Sequence, residues 1–424
     1  MFSGCHRARL RRCAAVCLAV LTAIAYPLAR AQAGGLTYDA ALEAALARAP
    51  MLEARRASAQ GAAAARTSAG RLPDPRLALG LENVPVEGDD RYSLTDDFMT
   101  MRQIGWMQEV PNRSKRAAQR EVAAALADRE QALVAVERQA VRRQVALAWL
   151  ERYYAEQRLA LFGELERENR VLQDTVNARI AAGRAIPAEA TVARQEAVEL
   201  AARRDELQRE RAKAQAALKR WAGDAAEAPL AGAPNLPALG PEQLRENIAH
   251  HVELAAFDPM LRMAAAETRQ AQAGKRPDWA WEVAYSKRGS EFDDMVSVQV
   301  SVQLPLFAGT RRDPQIYAKA QEEARIRAER EETLRQHVHM IEALIAEAEA
   351  VASQLARVRE QSLSLADERV RLTMASYAAG RADLGAVLIA RRERVQTRLR
   401  AIELEGQRDA LRAQLAYLFA ENHP

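Results

Sequence analysis

From Met295 to Pro305, Val296, Val298, Val300, Val302 and Leu304 alternate with Ser297, Gln299, Ser301 and Gln303. A period of two sustained over that length predicts a strand with one apolar and one polar face. Leu77, Leu79 and Leu81 alternate in the same way with Ala78, Gly80 and Glu82, and Trp279, Trp281, Val283 and Tyr285 with Ala280, Glu282, Ala284 and Ser286. A fourth segment, "MTMRQIGWMQEVP" from Met99 to Pro111, has a broken alternation and is the least regular of the expected strands.

Everywhere else the period is helical. The stretches "TYDAALEAALARAPMLEARRASAQGAAAARTSAG" and "LRENIAHHVELAAFDPMLRMAAAETRQAQAG" each read as one leading helix that stops at a glycine just before a Pro-Asp. Proline is then absent from Asn112 to Ala182 and from Gln315 to Ala379. At 1.5 Å per residue these stretches predict helices of about 105 Å and about 100 Å. Gly183 and Gly380 follow at the position where a left-handed residue ends a helix, and the chain reverses. Pro187 suits the first position of one return helix, and Asp383 suits the N-cap before Leu384 in the other.

The two series are copies. "ARIAAGRAIPAEATVAR" from Ala178 to Arg194 recurs as "ASYAAGRADLGAVLIAR" from Ala375 to Arg391, Gln108-Glu109-Val110-Pro111 as Val302-Gln303-Leu304-Pro305, and "GRLPDP" from Gly70 as "GKRPDW" from Gly274. Each copy is a helix, two strands, a long helix and a return helix. We expect a signal peptide over 1–33, a first unit over 34–223, a Pro/Gly/Ala-rich linker over 224–242 and a second unit over 243–424. The leader is read from Arg7, Arg9, Arg11 and Arg12, the apolar run after them, and the small-residue site Ala31-Gln32-Ala33. Cys5, Cys13 and Cys17 all fall inside it, which excludes thiol, disulfide and zinc-thiolate chemistry from the mature chain, and none sits in a lipidation context.

Composition narrows the picture further. Charged residues make up 28% and aromatics 5%, with 61 basic against 57 acidic side chains interspersed, as on salt-bridge-laced helices. There is no basic block with interleaved aromatics, so no nucleic-acid partner is expected. Although aromatics are scarce, Tyr92, Phe98, Trp106, Trp279, Trp281, Tyr285, Phe292 and Phe307 fall in or beside the expected strands. That placement fits interfacial girdles around strands long enough to cross an outer membrane. Four strands cannot close a barrel, and an open edge in lipid leaves backbone groups unpaired, so the chain is expected to oligomerise.

A duplicated helix-strand-strand-helix-helix unit behind a signal peptide, with "SYAAGRADLGAVL" and "VQLPLFAGTRR", resembles the outer-membrane efflux (TolC-like) family. The resemblance implies a mainly α fold with a transmembrane β portion: a homotrimer with a twelve-strand β-barrel in outer-membrane lipid and a long α-helical barrel through the periplasm. It implies a periplasmic adaptor as partner, coupling the channel to an inner-membrane resistance-nodulation-division pump. It places Ala182, Gly183, Arg184, Ala379, Gly380 and Arg381 at the adaptor-facing tips. "LPDPRLALGLENVP" and "SLTDDFMTMRQIGWMQEVP" look most like the heavy-metal branch of the family. Acids that constrict the entrance in the family have their counterparts here in Glu189 and Asp383. Ala386 and Ile389 stand where further acids are usual, so the two acids either form the constriction, paired with Arg184 and Arg381, or simply cap their helices.

Other chemistry is sparse. His337-Val338-His339 and His250-His251 are weak metal patterns, since helix neighbours two apart diverge, and Met99, Met101 and Met107 read as packing. No phosphate loop, nucleophile with its base, HExxH motif or cofactor signature is present, which points to a conduit and not an enzyme. The alternatives are a periplasmic adaptor or coiled-coil scaffold, a secreted hydrolase on a helical scaffold, or a channel serving drug efflux or protein secretion.

Overall fold

The computed structural model describes residues 35–237, 240–289 and 291–419. The expected leader, its cleavage site and the three cysteines lie outside the described residues. Two short helices open the fold, α1 (Tyr38–Arg48) and α2 (Pro50–Ser68). They are separate, where one continuous helix was expected. Pro50 takes the first position of α2 and holds Ala49 extended at ψ 107°, so the first helix cannot run through it. The second leading segment is also broken, into short turns over Pro241–Glu246 and Val252–Ala255 before α5 (Phe257–Ala273) begins.

Four strands follow the expected spans: β1 (Arg76–Glu82), β2 (Met101–Val110), β3 (Asp278–Lys287) and β4 (Met295–Gln303). They form one antiparallel sheet in the order β1-β2-β3-β4. β2 is regular after all, paired without interruption from Arg76↔Met107 to Glu82↔Met101 on one side and from Arg102↔Lys287 to Val110↔Trp279 on the other. Its ladder bonds come from the backbone and do not require the side-chain alternation that its sequence lacks.

Register sorts the side chains. Leu77 lies opposite Trp106, Trp106 opposite Val283, and Val283 opposite Val298; the neighbouring row runs Leu79, Ile104, Tyr285, Val296. Directly paired residues share a face, so these rows build one apolar face across all four strands. It is exposed within the chain: Leu79 is 76% and Val298 71% accessible. The other face carries Gly80, Gln103, Glu282, Gln299 and Ser301.

The helices supply the length. α3 (Arg113–Ala181) has 69 residues, about 104 Å at 1.5 Å each, and returns through α4 (Pro187–Ala222). In the second copy α6 (Asp313–Arg357) passes through a single π turn, Val358–Ser362, into α7 (Leu363–Ala378), and α8 (Leu384–Ala416) returns. The π turn interrupts what the sequence presented as one plain α-helix. Among the described residues, no helix is long and apolar enough to cross a membrane.

The largest core lies part-way along this rod, where α1 and the start of α2 pack on α3 and on the end of α4 through Tyr38, Ala41, Leu52, Val145, Trp149 and Leu218. Arg152, 1% exposed, anchors the linker there. It donates to the carbonyls of Ala226 at 2.5 Å and Ala228 at 2.9 Å and to the Glu156 carboxylate at 2.9 Å. The Tyr38 and Tyr417 hydroxyls, 2.9 Å apart, join the two ends of the described chain.

Replacing Arg152 by Leu removes these charge-assisted bonds and strands buried carbonyls, so it should lower stability by about 2–3 kcal/mol. The denaturant midpoint should fall, and a protease should cut the linker over 223–237 faster.

Candidate functional site at the hairpin tips

Both long helices end in the same backbone device. In the first hairpin the Gly183 N–H donates to Ile180 O at 2.9 Å and the Arg184 N–H to Arg179 O at 2.8 Å. In the second, Gly380 bonds Tyr377 O at 3.0 Å and Arg381 bonds Ser376 O at 2.9 Å. The glycines sit at φ 69° and 71°, and a Cβ on either would meet nothing within 4 Å. Glycine is needed there for its left-handed backbone and not for space. The return helices start as the sequence implied, with Pro187 at a first position and Asp383 Oδ1 accepting from the Ala386 N–H at 2.7 Å.

The two tips lie side by side. Leu172, Val176 and Ala193 from the first hairpin pack with Tyr377, Leu384 and Val387 from the second. At the rim of this small core the Tyr377 hydroxyl donates to Glu189 Oε2 at 2.6 Å. Burial, and then the Glu189 bond, push the Tyr377 hydroxyl up to about 12, so it remains the donor through the physiological range. The Arg179 guanidinium lies 4.0 Å above the Tyr377 ring and donates to Tyr377 O at 3.3 Å and Arg184 O at 3.4 Å. One guanidinium thus joins the C-terminal turn of the second long helix, where a cation is favoured, to the reversal that follows the first.

Of the sequence candidates, Ala182, Gly183, Arg184, Ala379, Gly380 and Arg381 all lie exposed at the apices. The expected pairing of Arg184 and Arg381 with the two acids is not formed among the described residues. Glu189 is engaged by Tyr377, and Asp383 by its own helix N-terminus, while the two arginine side chains are exposed. Arg179 and Tyr377 were missed. A signal existed: at the repeat offset, Arg179 matches Ser376, Tyr377 matches Ile180 and Glu189 matches Ala386, so the latch is built where the copies differ.

Behind the tips, ion pairs tie hairpin to hairpin: Arg392 to Glu196 and Glu199, both at 2.9 Å, and Arg394 to Glu168 at 2.5 Å. Of these, the Arg392–Glu199 pair is exposed on both sides, and such a pair contributes about 0–1 kcal/mol, while Glu196 and Arg394 are largely covered. Arg391 is different, since its buried Nε has no hydrogen-bond partner and burial lowers its basicity.

No family profile matches this chain, and no curated protein matches it in sequence. Solved structures do match. A membrane protein from Pseudomonas aeruginosa superposes with TM-score 0.77 at 19% identity, covering 90% of each chain. The outer membrane protein VceC from Vibrio cholerae gives TM-score 0.73 at 20% identity, over 90% of this chain and 96% of that one. The chain has the fold of outer-membrane channels. CusC, a protein that forms a transmembrane channel, gives TM-score 0.75 at 15% identity over 90% and 92% of the two chains. Coverage of this order extends the channel fold over the strands and both hairpins together.

Tyr377→Phe keeps the ring under Arg179 and removes only the bond to Glu189, which should loosen the tips by about 1–2 kcal/mol. Hydrogen exchange should accelerate over 179–190 and leave the Trp149 core unchanged.

Proposed function

We propose that the chain is one subunit of a trimeric exit duct of the TolC-like efflux family, seated in the outer membrane and extending into the periplasm. The observation that carries this reading is a sheet with one exposed apolar face and, among the described residues, two unpaired edges, set on two helical hairpins whose outgoing arms each span about 100 Å. Three such sheets joined edge to edge make a closed twelve-strand barrel with the apolar face toward lipid and the Gln299 face toward the lumen. The units 34–223 and 243–424 then contribute one hairpin each to a helical barrel whose tips meet a periplasmic adaptor and, through it, an inner-membrane pump. The duct is passive, and the pump supplies both energy and choice of cargo.

The finer reading is that the cargo is heavy-metal cations, supported by the sequence resemblance of the first strand pair. A strain lacking the chain should become sensitive to such cations while keeping its resistance to organic drugs. Sensitivity to drugs alone would overturn this finer reading. For the duct itself, the test is fractionation with heated and unheated gels. A heat-sensitive oligomer in the outer membrane is the expected result, and recovery as a soluble monomer would refute it.

Lysine at Val298 or Val300 faces lipid and should cost about 2–4 kcal/mol near the midplane, whereas lysine at Gln299 or Ser301 faces the lumen and should be tolerated. The yield of assembled oligomer measures the difference.

Glu189 and Asp383 from three chains would ring the entrance, and a ring of carboxylates favours cations and holds divalent ions. Replacing both by Ala should raise single-channel conductance and weaken block by divalent cations, with the trimer intact. Tyr377→Phe should reproduce the rise in conductance without relieving the block, because it frees the tips and leaves both carboxylates in place.

A further inference from the structure

Away from the tips, two side chains from one short segment meet a third from a distant part of the sequence. His251 precedes the short turn Val252–Ala255, Glu253 lies within that turn, and His337 comes from α6. The structure regroups the two histidine pairs of the sequence: His339 is exposed, while His337 and His251 are buried face to face, ring centroids 3.7 Å apart with 27° between their planes. One ligand atom from each of His251, Glu253 and His337 lies within 4.8 Å of the other two. Both imidazole Nε2 atoms are buried without a hydrogen-bond partner, His251 being only 2% exposed overall. Glu253 Oε2 stands 3.0 Å from His337 Nε2, yet the pair lacks hydrogen-bond alignment. Buried polar nitrogens are rarely left in that condition without a reason.

The geometry points to a binding site for one divalent transition-metal cation, of the zinc, nickel or copper class, held by His251, His337 and Glu253. Two imidazoles and one carboxylate suit these ions, whereas magnesium and calcium prefer oxygen ligands throughout. Around a tetrahedral ion with bonds of about 2.1 Å, ligand atoms stand roughly 3.4 Å apart, close to the Glu253–His337 separation already present. Three protein ligands leave the fourth position to water.

Binding requires two adjustments. Stacked rings share no nearby point in both their planes, so one imidazole tips out of the stack to reach the ion. His251 Nδ1 accepts the Glu253 N–H at 3.2 Å, which puts the ring proton on Nε2. Metallation at Nε2 moves that proton to Nδ1 and gives up this long bond. The ion exchanges a local cap for a cross-link between α6 and the segment leading into α5. His251 also forms a backbone bridge with Phe419, so the same cross-link holds the end of the described chain. The site stands on these contacts alone and is independent of the transport reading.

The test uses the full chain in detergent, purified without a polyhistidine tag and stripped by a chelator. Titration calorimetry with zinc chloride should give one tight ion per chain, and cobalt(II) should give the visible absorption of a low-coordinate nitrogen-ligated ion. His337→Phe keeps an aromatic ring in the stack, and Glu253→Gln changes an exposed side chain. Each should weaken zinc by more than the roughly 10–100-fold typical of losing a supporting residue around a metal site. Absence of zinc binding, undiminished affinity in both variants, or displacement of zinc by equimolar magnesium would each overturn the proposal. If His337→Phe fails to fold, Glu253→Gln decides alone.

Discussion

The outer edges of Arg76–Glu82 and Met295–Gln303 each carry a row of backbone N–H and C=O groups with no partner strand among the described residues. In water such an edge invites pairing, and in lipid every unpaired group costs several kcal/mol. The same sheet turns a continuous apolar face outward, so it cannot be satisfied either as an isolated domain or as a lone membrane element. Other copies of the same sheet offer matching edges and extend the same face. Within the one chain, the two hairpins already lie side by side and meet at their tips, an arrangement compatible with closing such a ring.

The helical rod solves a different problem. Long alanine-rich helices have little apolar surface with which to hold one another, so stability gathers in separate patches: the Trp149 core, the tip cluster around Tyr377, and smaller seams between. The first is fastened by Arg152 to the linker and by Tyr38 to Tyr417, which brings the beginning, middle and end of the described chain to one level. The tip cluster is smaller and depends on one guanidinium and one hydroxyl. Its position far from the main core makes it the part that can rearrange without unfolding the rest.

Strands and hairpins were legible in the sequence because period-two alternation and the left-handed glycines are local signals. The break before Pro50 was equally local, since a residue before proline leaves the helical region, but the helical periodicity on both sides of it masked the interruption. The regularity of β2 was hidden because its backbone is held from both sides while its side chains are mixed. Long-range meetings such as Tyr377 with Glu189, or His251 with His337, leave no periodic trace. For the first, the comparison of the two copies did hold a clue, because a duplicated scaffold reveals its specialised positions as mismatches. For the second, adjacency in sequence misdirected attention toward His339 and His250.

The π turn at Val358–Ser362 accommodates one residue more than an α-helical turn would. One extra residue advances the helix by about 100° of rotation, so α6 and α7 share an axis but not a phase. The stripe by which α6 meets α5 and α8 is handed over, at the bulge, to a different stripe by which α7 meets α8. Excising a single residue there would restore ordinary helical bonding and still damage the molecule, because everything beyond the cut would be turned to face the wrong neighbour. The second hairpin is therefore indexed like a screw thread: its length and its angular setting cannot be changed independently.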